Sequence, residues 1–103
     1  MADSRTFEWT CAELESASAL SKLESRGTIR LALKEAGLEA DRVTPGQMSV
    51  VTERILPGEL RNRGVEGAEG ICSALTSGLR ASPTLEAEQA QETPEDVFRR
   101  LSG

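Results

Sequence analysis

The chain has no histidine and no tyrosine, and its aromatic residues are Phe7, Trp9 and Phe98. Without histidine it lacks the commonest general base near neutral pH and the commonest nitrogen ligand for a metal. Two cysteines, Cys11 and Cys72, are too few for a structural zinc site. They read as small buried hydrophobes of a reducing compartment, and a disulfide between them would need the fold to bring them together. There is no long apolar run and no basic-then-apolar leader. The expectation is a soluble, cytoplasmic protein without membrane contact.

Other chemistries are excluded by spacing. A phosphate-binding GxxxxGK[ST] loop is absent, and Gly64, Gly67 and Gly70 form GxxGxxG with no strand before them. They are expected to serve helix ends and close packing. The carboxylate pairs Glu13/Glu15 and Glu86/Glu88 lie on polar stretches with no histidine or hydrophobic pocket evident beside them. Lys22 and Lys34 are the only lysines, and neither stands in an apolar surround. A non-enzymatic protein is therefore expected, with no cofactor and no metal.

What is present suits one small all-α domain. A chain of 103 residues supports a single core, built here from Leu, Ile, Val and Ala. Self-association would strengthen such a core. No stretch alternates β-branched and polar residues over a strand's length, and no segment repeats. The reading is a bundle of four to five short helices with a flexible C-terminal linker and a terminal mini-helix. Its divisions are a disordered N-terminal arm (1–8), a helical domain (9–80), a flexible acidic linker (81–92) and a short amphipathic helix (93–103).

Within the domain, Thr10 and Glu13 have the form of a capping box that starts a helix over about 10–25. Gly27 either ends that helix, with Thr28 capping the next, or sits inside one long helix. The break is preferred, because Ile29, Ala32, Leu33 and Ala36 make their own stripe. In the long-helix alternative, Leu20, Leu23, Gly27 and Leu31 lie on one stripe. Ala36-Gly37-Leu38 reads as a Schellman ending. Val43-Thr44-Pro45-Gly46-Gln47-Met48 combines an N-cap, a first-turn proline, a capping box and a hydrophobic staple. Pro57-Gly58 is expected to end that helix, and Glu59–Arg63 to make one turn stopped by Gly64. Val65, Ala68, Ile71, Cys72, Leu75 and Leu79 give a last stripe, which Gly78-Leu79 is expected to close. Gly67 and Gly70 would favour close packing at the start of this helix. The expected core is Leu14, Leu20, Leu23, Ile29, Leu33, Met48, Val51, Ile55, Ile71 and Leu75.

Net charge is −5, which disfavours non-specific nucleic-acid binding. Its distribution is uneven: residues 22–63 carry eight Lys/Arg against six acids, and both flanks are acidic. The expected function is a protein–protein interaction or regulatory module that docks through helix faces and its C-terminal helix. There Val97, Phe98 and Leu101 would share a face, with Arg99 and Arg100 at the rim. The alternative is a nucleic-acid-associated regulator using residues 26–63, with Arg26, Arg30, Lys34, Arg42 and Arg54 on phosphates. A helix-turn-helix is disfavoured, since the gap from Gly37 through Thr44 is eight residues long where a turn of three or four is needed.

Overall fold

Three places in the chain pair a Ser or Thr with a Glu or Gln three residues on, and two of them start helices. The computed structural model describes residues 3–81. Among them are five helices and no strand: α1 (Arg5–Ala17), α2 (Lys22–Glu35), α3 (Pro45–Arg54), α4 (Leu56–Asn62) and α5 (Ala68–Ala81). Ser21 and Glu24 close a reciprocal capping box at the head of α2, and Thr44 and Gln47 close one at α3. The expected linker (82–92 of it) and the terminal helix 93–103 lie outside the described residues.

The third pair, Thr10 and Glu13, starts nothing. Helix α1 begins at Arg5 with Ser4 as its N-cap, the Ser4 hydroxyl accepting from the Phe7 amide at 3.1 Å. Thr10 is buried mid-helix and donates to the Thr6 carbonyl at 2.7 Å. Residues 5–8 are thus the first turn of a helix and not a disordered arm. Burial of Phe7, fully enclosed by the fold, explains why the helix starts early. The Ser4 amide donates to the Ala40 carbonyl at 3.0 Å, tying this end to the α2–α3 connection.

The expected helix over 10–25 is split by Ser18. Its hydroxyl donates to the Leu14 carbonyl at 2.6 Å and accepts from the Leu20 amide at 3.3 Å, closing α1 locally. Gly27 ends no helix. It lies inside α2, while Thr28, instead of capping, is buried and donates to the Glu24 carbonyl at 2.7 Å. The Schellman ending at Gly37 forms as expected. Gly37 has φ +72°, and the Leu38 amide reaches the Leu33 carbonyl at 2.9 Å.

Pro57-Gly58 opens α4 rather than ending α3, which stops at Arg54 with Ile55 between the two helices. A proline in the first turn forfeits no helical hydrogen bond, so the same residue serves as a start as well as a stop. Gly64 (φ +75°) stops α4 as expected, with the Val65 amide bonded to the Leu60 carbonyl at 3.0 Å. Gly78 closes nothing, since α5 continues through it to Ala81.

Helix α3 packs against α5, α1 against α2 and α5, and α4 joins α2, α3 and α5. Of the expected core, Leu14, Ile29, Leu33, Met48, Val51 and Leu75 are buried. Leu20, Ile55 and Ile71 pack partly against the core. Leu23 is the error, at 81% exposed. Phe7, Val43, Leu56 and Leu60 are also buried there, beyond the expected core set, together with Cys11, Ala32, Ala68, Cys72 and Leu79. Between α3 and α5 the Thr52 and Thr76 hydroxyls meet at 2.7 Å. Thr76 is also 2.8 Å from the Cys72 carbonyl and Thr52 is 3.1 Å from that of Ser49. Two hydroxyl protons serve three contacts, and the shorter pair gives Thr76 to Cys72 and Thr52 to Thr76.

Ser25 Oγ is the buried side-chain polar atom among the described residues that lacks a hydrogen-bond partner. Leaving a hydroxyl unsatisfied costs more than having none there, and alanine is the better helix former. Ser25→Ala should therefore stabilise the fold by about 1 kcal/mol, read as a rise of about 4–8 °C in thermal midpoint. A lowered midpoint would show that the hydroxyl is satisfied, for instance by a buried water.

Candidate functional site: the exposed face of α2

A helix that buries one side presents the other, and residues four apart stand one above another along it. Ser25, Thr28, Ile29, Ala32 and Leu33 are the buried side of α2. On the far side Leu23, Gly27 and Leu31 follow at four-residue spacing, with Leu23 81% and Leu31 46% exposed. A methyl placed on Gly27 would meet nothing within 4 Å. The stripe is thus two leucines with an open notch between them, facing away from the core.

Alongside runs a second row at the same spacing: Lys22, Arg26, Arg30 and Lys34. The two central cations are held by α1 and the residues before it. Asp3 bridges Arg26 at 2.8 Å and Arg30 at 2.9 Å, and Glu8 takes Arg26 at 2.9 and 3.2 Å. The Arg26 hydrogen bond holds the Glu8 carboxyl below its ordinary range. Both guanidiniums lie over the Phe7 ring, at 5.2 Å for Arg26 and 4.8 Å for Arg30. Lys22 and Lys34, at the ends of the row, form no close ion pair among the described residues.

The structure does not gather the five expected phosphate contacts onto one face. Arg26 and Arg30 are tied into the cluster around Phe7, and Lys34 stands free of it on the same helix. Arg42 sits on the α2–α3 connection, 3.7 Å from Glu39. Arg54 ends α3 and lines a separate groove. Val97, Phe98, Arg99, Arg100 and Leu101 lie outside the described residues. Sequence reasoning missed the leucine stripe as a surface, because the same spacing reads equally well as a core stripe until the helix's phase is known.

The thiols offer no reactive alternative. Burial pushes Cys11 up to about 12 and Cys72 up to about 11, so both stay protonated near neutral pH. Glu59 is raised, first by a hydrogen bond with Glu35, then by burial and the charge of the same neighbour. This pair joins the end of α2 to α4 on the surface, with no nucleophile beside it. Among the described residues no three His, Cys, Asp or Glu stand together as a metal-holding set. No described helix is long and apolar enough to cross a membrane.

The fold and this surface define a small all-helical domain with an aliphatic stripe bordered by cations. No protein-family model matches the chain, and no curated protein or solved structure is significantly similar to it.

Proposed function

We propose that this chain is a non-enzymatic protein–protein interaction module, docking a partner helix on the outer face of α2. The observation that carries this reading is the exposure of Leu23 and Leu31 on one face of a helix whose other aliphatics are buried. The fitting occupant is an amphipathic helix with apolar side chains at four-residue spacing and acids along one flank. Its apolar residues would sit around the Gly27 notch and its acids would meet Lys22 and Lys34. The terminal segment around Phe98 remains a second docking element in this reading. The nucleic-acid alternative is less favoured, because Arg26 and Arg30 already neutralise acids of their own chain.

Replacing both exposed leucines, Leu23→Glu and Leu31→Glu, should leave the thermal midpoint and helical circular dichroism near wild type, since neither side chain is in the core. The same full-length variant should lose at least tenfold in affinity for a partner crosslinked to α2 in the wild-type protein, the effect of about 1.4 kcal/mol. A folded variant that keeps the partner at unchanged affinity would overturn the reading. So would salt-resistant binding to duplex DNA that Lys34→Glu abolishes.

A further inference from the structure

Helices α3, α4 and α5 leave between them a groove of about 460 Å³, distinct from the α2 face. Its charged lining is Arg54, Arg61 and Arg80 against Glu53 and Glu69, a local excess of one positive charge in a chain of net −5. Arg61 meets Glu69 at 2.9 Å and Arg80 meets Glu53 at 3.4 Å, all four side chains being more than half exposed. Exposed pairs of this kind contribute little and exchange partners readily. Arg54 has no acidic partner among the described residues. Between the charges the lining is of small side chains, Ser73, Thr76 and Ser77 of α5 with Cys72 and Pro57, and no large apolar residue. Such a lining suits an extended backbone carrying carboxylates better than a bulky apolar ligand.

Ala81, the last of the described residues, follows Arg80 at one end of this groove. The 22 residues that follow begin Ser82-Pro83-Thr84 and carry Glu86, Glu88, Glu92, Glu95 and Asp96 before the first cation, Arg99. Serine, proline and threonine favour a turn. From Glu69 to Arg80 a helix advances about 17 Å, which five to six extended residues span. We propose that the groove takes the chain's own acidic segment, residues 85–92, running back along α5 with its carboxylates on Arg80, Arg54 and Arg61. Because the segment is tethered beside its site, its local concentration is on the order of millimolar, and weak charge contacts suffice to fill the groove.

The test is done on the full chain by amide nuclear magnetic resonance. Glu86→Gln, Glu88→Gln and Glu92→Gln together should shift the amides of Arg54, Ser73, Ser77 and Arg80 and leave those of Gly27 and Leu31 in place. Raising salt from about 0.05 to about 0.5 M shortens the reach of charge attraction roughly threefold and should produce the same shifts in the wild type. Arg54→Glu with Arg80→Glu should reproduce them. Combining that pair with Glu86→Arg and Glu88→Arg should restore the wild-type pattern more than halfway, which a merely unfolded or perturbed variant would not do. Groove amides that ignore the tail substitutions would overturn the proposal. Shifts that grow with protein concentration would overturn it too, since the groove would then hold the segment of a second copy.

Discussion

Replacing Phe7 with alanine is expected to lower stability by about 3–5 kcal/mol, the loss for truncating a fully enclosed phenylalanine. In a domain of this size that is a fall of about 15–30 °C in thermal midpoint, enough to leave much of the protein unfolded at 37 °C. The size of the effect follows from what the ring holds. Phe7 is 0% exposed, and the guanidiniums of Arg26 and Arg30 lie over it. Those guanidiniums in turn collect Asp3 and Glu8. Deleting the ring leaves a cavity beside two cations whose positions the ring had set. Phe7→Leu keeps most of the volume and loses the π face, so its cost should be less than half as large. The comparison, by urea unfolding followed by circular dichroism, separates packing from ring–cation attraction. If residues 1–8 were a frayed arm, both substitutions would change stability by less than about 0.5 kcal/mol.

That contrast shows where sequence reading succeeds here and where it stops. The ends of α2 and α4 at Gly37 and Gly64 and the start of α3 at Thr44 were legible because each is decided within a few residues. A left-handed glycine followed by an apolar residue, or a threonine with proline and glutamine behind it, satisfies its own backbone groups wherever it occurs. Thr10-Glu13 has the same form and fails, while Ser21-Glu24 has it and succeeds. Nothing local separates them. What decides is that starting α1 at Thr10 would expose Phe7, and that depends on α2, some twenty residues away.

Periodicity misled at the next level. Leu14, Ala17, Leu20 and Leu23 recur every three residues, near helical spacing, which hides the connection at residues 18–21 and reads Leu23 into the core. Steps of three nevertheless drift by about 60° each and carry Leu23 to the side opposite Leu14. Ser18 closes α1 and Ser21 opens α2, whose buried side is Ser25, Thr28, Ile29, Ala32 and Leu33, and Leu23 stands on the other side, facing solvent. The α2 face is therefore half legible: the sequence places its cations Arg30 and Lys34 on the outside, as found, and puts Leu23 in the core, which the structure overturns. Gly27 had the same ambiguity. A glycine with open space around it inside a helix leaves no mark that distinguishes it from a stop.

Gly78 is the position where an absent side chain has a structural reason that no local pattern reveals. A Cβ built there would stand 2.5 Å from Cη2 and 2.8 Å from Cζ2 of Trp9, closer than carbon atoms approach without displacement. The close packing expected near Gly67 and Gly70 is found here instead, since a methyl at either of those two meets nothing within 4 Å. Gly78→Ala would ordinarily stabilise a helix interior by about 1 kcal/mol. With the indole in place it is expected to cost about 1–2 kcal/mol net, because the ring must swing outward or α5 must move from α1. Trp9 is the only tryptophan. A red-shifted emission in the variant would therefore identify the first of these responses, and unchanged emission with a lowered midpoint the second. In a Trp9→Ala background the obstacle is gone and the sign should invert, Gly78→Ala then stabilising by about 1 kcal/mol. The coupling between the two positions, about 2–3 kcal/mol in a double-mutant cycle followed by circular dichroism, lies at the upper end for residues in contact. Equal effects in both backgrounds would mean that the glycine serves something other than the indole. The inversion is thus a direct measure of how closely α1 and α5 approach, the contact that closes the bundle around Phe7.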